Sequence, residues 1–191
     1  MKWSIDPAHS MAYFSIRHMM AKVRGQMKIK EGWIEAENDH TTAKVFVVLD
    51  AASIHTGVEA RDNHLRSADG HFDVANFPEI TFKSTRVEGK SPERFKVYGD
   101  LTIRGITRPV VLEATFGGQG KDAWGNPRVS FSAETTLNRK DFGLTWNAPL
   151  EAGGWLLGDE VKIELEVEAT PAKDEAEAKP KQEATVAAES R

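Results

Sequence analysis

The feature that most constrains this chain is a period of two, held over long segments and repeated from end to end. Residues 160–168 show it most cleanly: Val161, Ile163, Leu165 and Val167 alternate with Lys162, Glu164, Glu166 and Glu168. Successive side chains of an extended strand point to opposite faces, so such a segment reads as a half-buried strand. Residues 10–18 behave the same way, with Ala12, Phe14, Ile16 and His18 on one face and Tyr13, Ser15 and Arg17 on the other. The alternation returns in 25–37, 79–88, 95–104, 109–116 and 128–137. The inward sets there are Ile80 and Phe82, then Phe95, Val97, Leu101 and Ile103, then Val110, Leu112 and Phe116. Residues 43–49 are apolar on both faces over their second half, which suits a central or covered strand. Trp3 and Ile5 form a short strand ahead of these. Gly32 stands where the alternation loses phase, so a bulge is expected there.

These segments make about eight strands, joined by turn-like stretches at 88–92, 104–107 and 117–125, with no repeated strand–helix unit. The fold class is therefore all-β and antiparallel. Eight strands closed on themselves enclose an interior that holds side chains or one small ligand. A two-sheet sandwich fits the same periodicity. One segment, 53–82, breaks the pattern with acids, arginines, histidines and phenylalanines. Within it Glu59 to Ser67 suits a short helix, with Ala60, His64 and Leu65 on one side, Glu59 and Asp62 in the first turn and Gly70 to stop it. Set against a barrel, this segment reads as a lid over one side.

Composition removes several function classes. The chain has 191 residues, which fits one domain with a tail. It has no cysteine, which excludes disulfides, thiolate catalysis and cysteine-based zinc sites. A net charge of −4 argues against general nucleic-acid affinity. No apolar run reaches the ~18–20 residues of a membrane-spanning helix, which leaves transient contact as the way this chain meets a bilayer. The N-terminal residues carry no apolar leader, so the cytoplasm is the expected compartment. From 170 onward there is no aromatic residue and charge is interspersed, so 1–169 is expected to fold and 170–191 to be a disordered charged tail.

The chemistry-bearing residues give few patterns. His55, His64 and His71 lack the spacing that puts two ligands on one helical face, so neither a metal nor a cofactor is expected. There is no G-x-S-x-G, no cysteine nucleophile and no phosphate-binding glycine loop. Asp62, His64 and His71 are the residues an enzyme reading would use as acid/base or metal group. Arg61-Asp62 and Arg139-x-Asp141 read as ion pairs at a barrel end, or as a polar site for the end of a mostly apolar ligand. The phenylalanines fall mostly on inward faces or at strand ends, as core or as the wall of a cavity.

Several runs carry a resemblance. Trp3-Ser4-Ile5-Asp6-Pro7-Ala8-His9-Ser10, Phe14-Ser15-Ile16-Arg17-His18 with Val23-Arg24-Gly25, and Ile54-His55-Thr56-Gly57 with Arg61-Asp62-x-His64-Leu65 come first. Phe72-Asp73 with Phe77-Pro78-x-Ile80-x-Phe82, Gly99 through Val110, Asn138 through Leu144 and Gly158-Asp159-Glu160-Val161 follow in order. Over about 1–169 the chain resembles the YceI-like family, lipocalin-like polyisoprenoid-binding proteins of bacteria. The resemblance implies an eight-stranded antiparallel barrel with a helix over one side. It implies an elongated apolar tunnel for a long isoprenoid such as a polyprenol, its phosphate or a quinone tail, no catalytic residues, and a homodimer. On that reading Phe14, Ile16, His18, Leu65, Phe72, Phe77, Phe82, Leu101, Ile103, Phe131 and Phe142 line the tunnel. Arg61, Asp62 and His64 anchor the lid or meet a head group. The competing readings are an interaction module that uses the tail or an exposed strand edge, and an enzyme built on Asp62, His64 and His71.

Overall fold

In the computed structural model of the protein, which describes residues 1–173, the alternating segments become nine antiparallel strands. They are β1 (Lys2–Ile5), β2 (Met11–His18), β3 (Ala21–Glu35), β4 (Lys44–Asp50), β5 (Glu79–Ser91), β6 (Arg94–Ile103), β7 (Ile106–Lys121), β8 (Pro127–Asn138) and β9 (Leu157–Pro171). One helix, α1 (Glu59–Arg66), lies between β4 and β5. Neighbours run β3-β2-β9-β8-β7-β6-β5-β4, and β4 pairs back to β3, closing the ring as a barrel of eight positions.

The ninth strand comes from one interrupted position. Both β1 and β2 pair with β3 on one side and β9 on the other. Between them Pro7 opens a short 3-10 turn, Pro7–His9, and the Asp6 carboxylate accepts from the Ala8 amide at 3.0 Å. Proline cannot donate to a ladder, so the strand breaks there and resumes in a shifted register. Each strand thus has a partner on both sides, and the exposed edge that an interaction module would offer is absent among the described residues. The C-terminal boundary also moves. β9 runs to Pro171, opposite Trp3, and the Ala172 amide donates to the Lys2 carbonyl at 3.0 Å. Residues 170–172 therefore belong to the barrel, and the rest of the expected tail, from 174, lies outside the described residues.

The bulge expected at Gly32 falls earlier, between Ile29 and Glu31 in the pairing with β4, and Gly32 itself pairs with Val47. Its missing Cβ has a different cause: a methyl there would meet the Phe46 carbonyl at 2.7 Å. Two other strand glycines are holes for aromatic rings. A Cβ on Gly25 would lie 2.4 Å from the Phe14 ring, and one on Gly99 would lie 2.4 Å from the Phe82 ring. Gly99 is therefore not a turn position. Gly105 and Gly143 are, with φ of +74° and +70°.

The buried core follows the inward faces: Met27, Ile80, Phe82, Val97, Ile103, Val110 and Leu112 from the strands, with Ile54, Phe142 and Leu144 at one end. At the opposite end Arg128 ties the chain together, reaching Asp6 at 2.6 Å, Glu168 at 3.1 Å and Asp122 at 3.2 Å. Gly99→Ala is expected to push the Phe82 ring off the wall and lower stability by about 1–3 kcal/mol, the usual cost of overpacking. Urea unfolding of the variant measures it, and a midpoint equal to wild type would show that the ring has room to move.

Candidate functional site

The inward faces do not fill the barrel. They enclose a cavity of about 670 Å³, within the 300–1,000 Å³ of ordinary ligand sites. Its wall takes residues from all nine strands, from Trp3, Phe116 and Gln119 near one end to His71, Trp146 and Leu156 at the other. The 16 residues of β7 span ~50 Å along the strand at ~3.3 Å each, so a cavity touching both ends of the barrel is elongated. Phe95, Phe116 and Phe131 make an aromatic group in this wall, with ring centroids 5.5 Å apart for Phe116–Phe131 and 6.4 Å for Phe95–Phe131.

Ten of the eleven residues expected in the wall line this cavity: Phe14, Ile16, His18, Leu65, Phe72, Phe82, Leu101, Ile103, Phe131 and Phe142. Phe77 does not. It lies outside, where its ring would stand 3.0 Å from a Cβ on Gly105, packed over the β6–β7 turn. Arg61 and His64 line the cavity, whereas Asp62 turns away from it.

The expected ion pairs are replaced by other bonds. Asp62 is 3% exposed, and its carboxylate accepts from the Thr56 amide at 2.9 Å and from the Thr56 hydroxyl. Arg61 donates to the same threonine, at 2.7 Å to the hydroxyl and 3.0 Å to the carbonyl, so Arg61 and Asp62 meet through Thr56. The ion partner of Asp62 is His55 at 3.5 Å. Arg139 pairs with Asp159 at 3.4 Å, not with Asp141. Buried at 3% exposure, it spends its other donors on the carbonyls of Gly158, Leu144 and Trp146. Trp146 was not foreseen, because 143–156 has no periodicity to place it; its carbonyl meets Arg139 and His71, and its ring packs against His64 and His71.

His71 is a buried polar residue of the cavity wall. It is 5% exposed, packs edge-on to Trp146 at 5.8 Å, and its Nε2 lies 3.2 Å from the Trp146 carbonyl. A carbonyl only accepts, so Nε2 carries the proton and Nδ1 holds a lone pair. That Nδ1 is buried without a partner. Burial, then the nearby Arg139 charge, push the His71 pKa down to about 4, and the ring is neutral near pH 7.

Asp62 makes no hydrogen bond or ion pair with His64 or His71. His64 stacks edge-on against Trp146 at 4.6 Å, while Asp62 is held by Thr56 and His55. The described residues bring one trio of possible metal ligands together, Asp6, His9 and Glu168, at the far end. Arg128 already binds two of them, Asp6 and Glu168.

A YceI-like domain model matches residues 3–169. The chain belongs to the YceI-like family. Among its relatives, UPF0312 protein SA2479 of Staphylococcus aureus is 39% identical over 169 residues, covering 87% of this chain and 95% of that protein. Among solved structures, Burkholderia cenocepacia BcnA superposes with a TM-score of 0.73 at 22% identity, over 87% of this chain and 99% of that one. The Campylobacter jejuni YceI protein gives a TM-score of 0.66 at 28% identity, over 82% and 90%. A polyisoprenoid binding domain from Saccharophagus degradans gives 0.64 at 13% identity, over 88% and 97%. The solved structures share the closed antiparallel barrel.

The buried neutral His71 sets a pH dependence. Its folded pKa of about 4 lies below the ordinary 6.5, so the unfolded chain binds more protons between those values. Stability is then intact above pH 6.5 and falls as pH drops toward 4, by roughly 3 kcal/mol in all at 1.36 kcal/mol per pH unit. Denaturation at several pH values is expected to show this slope in wild type and to lose it in His71→Phe. An unchanged slope would assign the effect to other groups. Asp62→Ala strips a buried acceptor from the Thr56 amide and is expected to cost about 1–3 kcal/mol, read as faster hydrogen exchange over 55–66.

Proposed function

We propose that this protein binds a long apolar isoprenoid lipid inside the barrel and carries or sequesters it. The observation that carries the reading is the elongated cavity of about 670 Å³ with walls of Phe, Ile, Leu and Val. Apolar burial stabilises a ligand by ~25 cal/mol per Å² with little directionality, so such a wall selects for shape and apolarity rather than for a pattern of polar groups. The fold shared with a polyisoprenoid binding domain from Saccharophagus degradans supports an isoprenoid as the occupant. On this reading the protein acts by binding and not by catalysis, in keeping with Asp62 standing outside the cavity lining that His64 joins.

Both arginines of the wall and two of its histidines lie near the lid. Thr56, Arg61, His64, His71 and Arg139 come from the segments that leave β4 and β8. On this reading the ligand's head group meets that end and its chain extends toward Phe95, Phe116 and Phe131. Polyprenol, polyprenyl phosphate and quinone differ in what they present there. A phosphate suits the Arg61 guanidinium, and a hydroxyl proton suits the bare Nδ1 of His71.

Organic extraction of the native protein followed by mass spectrometry is expected to release a prenyl lipid. Titration of delipidated protein with a fluorescent prenol is expected to saturate at one site. Ala133→Trp, which fills the middle of the cavity, is expected to weaken that binding at least ten-fold while the protein still unfolds cooperatively. No extracted lipid together with no prenol binding by wild type would end the carrier reading.

A further inference from the structure

The outer face of the barrel holds a feature that the cavity does not explain. β2 and β3 are joined by a two-residue turn, Met19-Met20, with His18 and Ala21 as the last pair. Met19 has φ +56°, a conformation that hairpin turns ordinarily give to glycine or asparagine. The turn thus accepts backbone strain to place two methionines at its tip. Met20 is 97% exposed and Met19 is half exposed. The Met19 amide donates to the Leu156 carbonyl at 2.8 Å, which brings Trp155, 61% exposed, beside the tip.

Directly behind this apolar tip the outward residues are cations. Arg17 stands opposite Lys22, and Arg24 stands opposite Ser15. Like charges facing each other across a ladder destabilise the sheet, so the barrel gains nothing from this pair by itself. None of the three makes an ion pair with a described residue. A surface groove of about 360 Å³ runs past Lys22 and Arg24, with Tyr13, Ser15, Lys162 and Glu164 also in its lining. Its one acid, Glu164, is engaged by Lys162 at 3.0 Å.

We propose that the β2–β3 hairpin is a membrane-docking element: Met19, Met20 and Trp155 enter the apolar boundary of a bilayer while Arg17, Lys22 and Arg24 engage anionic phospholipid headgroups. The spacing fits. At ~3.3 Å per residue Lys22 lies ~7 Å and Arg24 ~13 Å behind Met20, and interfacial apolar groups reach ~5–10 Å into the headgroup boundary. The tip therefore reaches the acyl edge when the cations stand among the phosphates. Nucleic acid would satisfy the cations and leave the methionines in water. A two-fold copy of this face would bring the same cations against one another.

Flotation of the full chain with phosphatidylcholine vesicles, with and without phosphatidylglycerol, tests this. The vesicles contain no prenyl lipid, and each variant is first shown to bind prenol as wild type does, so the outcome is independent of the cavity's occupant. Wild type is expected to float with the phosphatidylglycerol vesicles, less so as salt is raised. Lys22→Ser and Arg24→Ser are each expected to weaken partition by about five-fold, and Met20→Ser by roughly ten-fold. Equal partition to both vesicle types, no partition at all, or variants that float like wild type would overturn the proposal. So would a dimer that Met19→Ser/Met20→Ser disperses without changing vesicle binding.

Discussion

The pairing of β4 with β3 is the constraint on which everything else depends. Without it the strands would form an open twisted sheet with one apolar face. With it, Ile29 opposite Leu49 and Ile34 opposite Val45 close the ring, and the inward residues of every strand face a common interior. A one-residue slip in any pair would turn a strand's inward set to solvent. Along one edge β3 pairs with β2 over its first half and with β1 over its second, while its other edge takes β4, with a bulge between Ile29 and Glu31. The short 3-10 turn at Pro7–His9 lets β1 and β2 share one position in the ring.

Closure alone does not make a cavity, since an eight-stranded ring can be filled by its own side chains. Here the large rings are drawn back against the wall. Phe14 lies over Gly25 and Phe82 over Gly99, each occupying the space of a missing Cβ. The middle of the barrel is thus left to smaller branched residues, and Ala12 and Ala133 line it as well. Removing a Cβ from the sheet and leaning a ring into the gap gives an apolar surface that is continuous and thin. Such a surface gains by covering itself with something other than water.

Much of this was legible in the sequence because period two maps directly onto inward and outward faces. Phe14, Ile16, Phe82, Leu101, Ile103 and Phe131 were placed by alternation and do face the cavity. What was not legible depended on contacts between segments distant in the chain. Phe77 looks like the wall phenylalanines, but it follows a turn that directs it onto Gly105. Asp62 looks like a partner for Arg61 or His64, yet the bend at Thr56 supplies a closer amide. Arg139 was paired with Asp141 by proximity in sequence, while its actual partners lie up to 20 residues further on. The need for glycine at position 99 was not legible either, because a glycine's spatial role, unlike its conformational one, depends on a ring from the next strand.

The lid end shows how arginine can hold structure chiefly through backbone carbonyls. Arg104, in a turn where it and Gly105 both have positive φ, donates to the carbonyls of Ala68, Gly70 and His71. Arg66 donates to those of Ala52 and Ile54, and Arg139 to those of Leu144, Trp146 and Gly158. These carbonyls end irregular segments and have no ladder to join, so an unmet one would cost the full desolvation of a buried acceptor. The fan of guanidinium donors satisfies several at once. Because the bonds are to dipoles at contact distance rather than to distant charges, salt screens them little. The lid is therefore fastened by short, local bonds, while the Trp146 carbonyl, shared between Arg139 and His71, couples it to the 143–156 loop.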